Sequence, residues 1–439
     1  MKRSSALRVF TFAAGLAACF CSNLAAQDVA ITNARIVTVT GPVIESGTII
    51  VRGGKVVSAA AGTANTTGLK VIDAKGMTAM PGFIDAHKHV DRFNKEQVQS
   101  LLEAGYTTIL SAGGTAENNL KLVESIESGA FNGPHIIPAA SLPVMARDFE
   151  TALARGALTG YTPETGRAAI RDMAAKGIRN TGEIVMAPSG LSPEDVATMK
   201  AIVEEGKERG VQINVHAVST PAMTAAVDAG ITRLVHLPNK DWTGYEAAAK
   251  VNGANAIVAG LIAFGAPIID RESPYPARVQ FGRDNSPRFR DGRAWPEALA
   301  GANREPGGKA TGTEGGYTLI NARRIFDATG GKGISFSTDQ DYADIVVLEH
   351  ELKSFSVMFS QPEIFRIMGP NSATFVGMAD QIGTLEKGKL ADIVLLDGDP
   401  TLNIYEMLKT KVVLKEGKVV VDKRPTQAPA AAARPAAKR

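Results

Sequence analysis

Between residues 82 and 340 the chain alternates short apolar runs with segments of helical pattern, and this alternation restricts the fold more than any other feature. The runs "GFIDAH" (82–87), "TTILSAG" (107–113), "HIIPAAS" (135–141), "EIVMAPS" (183–189), "INVHAVS" (213–219), "RLVHLPN" (233–239), "APIIDRE" (266–272) and "ISFSTDQ" (334–340) read as strands. Helical segments lie between them. In "SPEDVATMKAIVEEGKERG" (192–210), Ser192 is placed as an N-cap and Pro193 as the first helical residue. Glu194 and Asp195 occupy the first turn, and Gly210 ends the helix. Repeated strand–helix units imply a parallel sheet covered by helices. Eight units favour closure, so the expected fold is α/β, a (β/α)8 TIM barrel over residues 81–384.

The flanks have a different texture. "VAITNARIVT", "GTIIVRGGKVVSAA" and "KVIDAKGMTAM" alternate apolar and polar residues between glycines, as do "KGKLADIVLLDGDP" and "KTKVVLKEGKVVVDK" near the other end. A small β-sandwich composed of residues 27–80 and 385–423 is expected, followed by a disordered Pro/Ala-rich tail at 424–439. Residues 271–316 interrupt the barrel rhythm. They are rich in Arg, Gly and Pro and are expected to form a long loop over the catalytic face.

The first 26 residues read as an export signal: basic "MKRSSALR", a short apolar stretch, then small residues before Gln27. Both cysteines, Cys19 and Cys21, fall in this segment, so the remainder has no disulfide and no thiol nucleophile. Cleavage after Ala26 is one reading. The other takes "LAAC" as a lipoprotein signal, with a lipid anchor at Cys19. Both place the protein outside the cytoplasm, in the periplasm. No other stretch is long and apolar enough to span a membrane. The net charge of +3 gives no argument for nucleic acid.

Barrel active sites lie at the C-terminal ends of the strands. His87 and His89 end the first strand, and residues two apart on a strand share a face. Glu183 falls in strand four, His216 in strand five, His236 in strand six and Asp339 in strand eight. Four of six histidines and two carboxylates at such positions point to a metal site. His135 and His350 are assigned to structure, as are Ser189, Ser335 and Ser337, which lack a G-x-S-x-G context. By strand alternation Lys88 should face the barrel exterior, where it would be packed or solvated.

"PGFIDAHKH", "VHAVS", "LVHLPN", "STD" and "IGTLEKGKLADIVLLDGDP" resemble, in order and spacing, the amidohydrolase superfamily, with the texture of its imidazolonepropionase-like and prolidase-like members. The resemblance covers nearly the whole chain after the signal segment. It implies one or two divalent metals, usually zinc. His87, His89 and Asp339 would hold the more buried ion, and His216 and His236 the second. Many members place a carboxylated lysine in strand four. This chain reads "GEIVMA" there, so Glu183 is expected to bridge the ions; the alternative makes it a surface acid, or a supporting one, beside a site with a single ion.

Such a protein would hydrolyse a carbon–nitrogen bond, peptide or other, with Asp339 as general acid and base. The expected substrate is a small amide: an N-acyl amino acid, a dipeptide or an aryl-amide. Cyclic-amide hydrolysis or deamination by the same site is the second reading, and a non-catalytic binding protein the third. Arg271, Arg278, Arg283, Arg288, Arg290 and Arg293 could meet an anionic substrate or simply be solvated. A homo-oligomer is expected.

Overall fold

The computed structural model describes residues 28–142, 156–158, 160–260, 310–339 and 344–425. Five strands open the chain: β1 (Val29–Ile36), β2 (Ile44–Arg52), β3 (Lys55–Ala61), β4 (Lys70–Asp73) and β5 (Thr78–Pro81). Eight follow with helices between them: β6 (Phe83–Lys88), β7 (Tyr106–Ser111), β8 (His135–Ile137), β9 (Asn180–Val185), β10 (Gln212–His216), β11 (Arg233–Val235), β12 (Ile257–Gly260) and β13 (Ile334–Phe336). The chain returns to the first layer with β14 (Ile393–Leu396), β15 (Thr410–Lys415) and β16 (Lys418–Asp422).

Strands β6–β8 form one parallel sheet and β9–β13 another, each in chain order. Two parallel bridges join them. Ala140 pairs with Thr181 beyond the short β8, and Lys88 pairs with Asp339 beyond β13. The ring is thereby closed, and β6 is a neighbour of the last strand. A closed ring leaves no open edge, and buried strands on both faces explain the runs with little polar alternation.

Strands from both flanks make one sheet in the order β16-β15-β14-β5-β1-β2-β3, with β4 beside β1. Residues in and just before β3 bond back to the segment before β14: Val56 N donates to Lys389 O, and Gly54 O accepts from Ala391 N. The sheet therefore folds over its own core, which holds Ile31, Ile49, Val56, Ile393 and Leu414.

The helix at Pro193–Arg209 follows its sequence signals. Ser192 accepts from Asp195 N, and Gly210 ends it at φ 66°. Three expectations change. The strand between β11 and β13 is Ile257–Gly260, while "APIIDRE" lies outside the described residues. The expected loop at 271–316 ends earlier, because a helix begins at Ala310 and runs to Ala328. "HIIPAAS" yields only the three-residue β8. The six arginines of that loop, the export segment and residues 426–439 lie outside the described residues.

Candidate metal centre

The six side chains selected by strand-end position meet at one end of the barrel. His87 and His89 come from β6 and the residue after it, and Glu183 from within β9. His216 is the last residue of β10, while His236 and Asp339 lie just beyond β11 and β13. All but His89 are buried, and the His89 side chain is 40% exposed. That exposure places it on the open side of the cluster.

Glu183 is central. Its Oε2 lies 2.8 Å from His216 Nδ1, 3.0 Å from His236 Nε2 and 3.6 Å from His87 Nε2. Its Oε1 lies 3.9 Å from His89 Nε2. Asp339 Oδ1 stands opposite, 3.1 Å from His89 Nε2 and 3.4 Å from His87 Nε2. One carboxylate thus faces all four imidazoles, and the other lies beside the β6 pair. His87, Glu183, His236 and Asp339 each offer a ligand atom within 4.8 Å of the rest. Buried imidazoles and carboxylates at such spacing suit a divalent cation.

Electrostatics favour the ligating forms. Burial alone would raise the Glu183 pKa, but His216 and His236 hold it well below the usual carboxylate range. Burial and neighbouring His216 push His236 below the ordinary histidine value, toward the neutral imidazole that a metal requires.

The backbone presents these groups at some cost. His236 has φ 67° and Asp339 has φ 56°, left-handed values that residues with a side chain rarely adopt. Asp339 N donates to His87 O at 2.9 Å, fixing the end of β13 against β6.

Sequence reasoning gave no role to Asp85 or Thr338. Asp85 accepts from His87 N at 3.1 Å, from Thr338 N at 3.1 Å and from Thr338 Oγ1 at 2.5 Å. It ties the strand bearing His87 to the residue before Asp339. Its position two residues before His87, on the same strand face, was the available signal. Burial raises its pKa to about 6, against the pull of Lys88 and of Thr338. Lys88 is fully buried rather than solvated, and its Nζ donates to Thr338 Oγ1 at 3.2 Å.

The remaining candidates stand apart. His135 opens β8, with Nε2 at 3.3 Å from Asp392 and 3.6 Å from Glu416, where the barrel meets the flanking sheet. His350 lies in the helix Asp344–Met358. Ser335 and Ser337 donate to the carbonyls of Val258 and Gly260, and Ser189 is exposed.

Known proteins resemble this chain in sequence and in fold. The chain is 22% identical over 407 residues to the imidazolonepropionase of Thermoanaerobacter pseudethanolicus, covering 81% of this chain and 84% of the relative. A shorter match, 36% identical over 89 residues, is to the adenine deaminase of Shigella flexneri; it covers 20% of this chain and 15% of the relative. The crystal structure of a putative prolidase from Bifidobacterium longum superposes with a TM-score of 0.70 at 23% identity, over 91% of this chain and 97% of the other. The amidohydrolase family profile matches residues 78–420, a span that runs from β5 to β16 and contains the whole cluster. The chain therefore belongs to the amidohydrolase family.

Proposed function

We propose that this protein is a zinc-dependent hydrolase that cleaves the C–N bond of a small amide: an N-acyl amino acid, a dipeptide or an aryl-amide. The observation that carries this reading is the pair of buried carboxylates among four imidazoles at the strand ends, with Asp339 beside the partly exposed His89. His87, His89 and Asp339 would hold one ion and His216 and His236 a second, with Glu183 between the two sets. A bound divalent cation supplies positive charge that lowers the pKa of water to about 7 and polarises a carbonyl.

Asp339 does the proton work. It accepts a proton as water adds to the amide carbon. It then delivers that proton to the leaving nitrogen as the C–N bond breaks, giving a carboxylic acid and an amine. Its backbone bond to His87 O holds the carboxylate beside the β6 histidines throughout. Glu183, kept ionised by His216 and His236, is held in place as a ligand and has no need to exchange protons.

The likeness to the prolidase supports dipeptides as candidates. The shorter match to an adenine deaminase supports deamination as the second reading. Export to the periplasm rests on the N-terminal sequence, and among the described residues no helix is long and apolar enough to cross a membrane. The deciding experiment presents N-acyl amino acids, dipeptides, lactams and aminopurines to the zinc-loaded protein. Metal content is measured in parallel. We expect about two ions per chain, from the ligand count, and release of an amine from the first two classes. Ammonia released from the aminopurines, together with the corresponding oxopurine and with no amine from the amides, would replace this reading with deamination.

A further inference from the structure

We infer that Asn321 is a positioning residue for the His216–His236 side of the metal centre, acting through the loop that follows β11. The inference rests on the metal-binding reading above. Asn321 lies on the helix Ala310–Ala328 and is fully buried. Its Nδ2 donates to Pro238 O and to Asp241 O, both at 2.9 Å. Its Oδ1 accepts from Thr243 N at 2.9 Å. One amide thereby uses both N–H bonds and its oxygen to hold residues two to seven positions beyond His236.

The loop passes this restraint onward. Asn239 N and Lys240 N donate to Val218 O at 2.8 and 3.1 Å, two residues past His216. Thr220 N donates to Asp241 Oδ1 at 2.8 Å, and the Thr220 and Thr243 hydroxyls are 2.9 Å apart. Ser219 Oγ donates to Pro188 O at 2.5 Å, reaching the segment after Glu183. The stretches that follow three ligand-bearing strands are thus fastened in series, with Asn321 at one end.

The restraint has work to do at His236. Its left-handed φ of 67° persists only where the surroundings over-determine it. Freed of Asn321, the loop can relax and carry the imidazole off its ligating position. Loss of groups that orient metal ligands typically weakens metal binding 10–100-fold.

The test measures zinc affinity of the full-length protein by competition with a chelator of known affinity. Melting is recorded with and without zinc. Asn321→Ala should weaken zinc binding roughly 10–100-fold and shrink the zinc-induced rise in melting temperature. With cobalt(II) as probe, its visible bands should shift, because the ligand geometry changes. Thr220→Val and Thr243→Val cut the same series without emptying the Asn321 site; they should weaken zinc binding in the same direction and carry the test if Asn321→Ala does not fold. Equal destabilisation with and without zinc, with affinity within about twofold of the parent and unchanged cobalt bands, would reduce Asn321 to fold support and overturn the inference. Failure of the unmodified protein to bind zinc would instead defeat the metal reading itself, and the clamp with it.

Discussion

At the scale of single residues, Asp339 combines several demands in one side chain. It sits within 3.4 Å of two imidazoles, its backbone is left-handed, and its N–H is committed to His87. Asparagine matches its shape but cannot act as a base. Asp339→Asn should keep most of its metal, because His87, His89 and Glu183 remain. Turnover should fall on the order of 10²–10⁴-fold, the usual share of a positioned acid–base group. Activated anilides should suffer less than plain amides, since their leaving nitrogen needs less help from a proton. Metal content measured beside turnover on both substrates decides the matter. Near-parental turnover removes Asp339 from the chemistry, and metal lost in step with activity leaves it only a ligand.

At the scale of elements, the placement of Glu183 depends on how closely β7 and β9 approach past the end of the short β8. Gly182 N donates to Ala140 O at 2.7 Å and Glu183 N to Ala112 O at 3.3 Å. A Cβ on Gly182 would come within 2.8 Å of Gly113 Cα and 3.0 Å of Ala112 O, and backbone cannot step aside as a side chain can. Gly182→Ala should therefore push β9 outward, cost about 1–3 kcal/mol, and lower metal occupancy by shifting Glu183. Urea unfolding with elemental analysis of the same sample tests both effects; unchanged occupancy would separate the glycine from the site. These elements also show what was legible in sequence. Two-residue alternation paired His87 with His89, and strand–helix rhythm put Glu183, His216, His236 and Asp339 in barrel strands. "IVAG" went unread because four residues with two small ones give little apolar signal. The first turns of the helix from Ala310, "ATGTEGG", contain three glycines, poor helix formers that merged with the Gly-rich stretch before them. The burial of Lys88 followed from ring closure against Thr338, a contact between residues 250 positions apart that no local pattern encodes.

At the scale of the whole molecule, the two ends of the chain complete one another. Strand β14 pairs antiparallel with β5, from Ile393 opposite Pro81 to Leu396 opposite Thr78. One residue, Gly82, separates β5 from the first barrel strand. Alternation along β14 sends Ile393 and Leu395 into the core of the flanking sheet, and Val394 and Leu396 into the core that includes the barrel helices. Polar ties add to this junction: Lys415 Nζ donates to Gly133 O at 2.9 Å, and Lys423 Nζ to Glu103 O at 2.8 Å. Burying each aliphatic side chain of β14 contributes about 1.5–3 kcal/mol, so four of them approach the entire stability of a typical domain, about 5–15 kcal/mol. Deleting residues 390–439 should therefore abolish folding of the barrel as well as the flanking sheet. Deleting only 426–439, a Pro/Ala-rich stretch with no Val, Ile, Leu, Met or aromatic residue to build a core, should leave melting and metal content unchanged. Far-UV circular dichroism and thermal melting of the two truncations provide the comparison. A cooperative transition in the 390–439 deletion, near the parental temperature, would show that the barrel stands without the strands of the C-terminal segment.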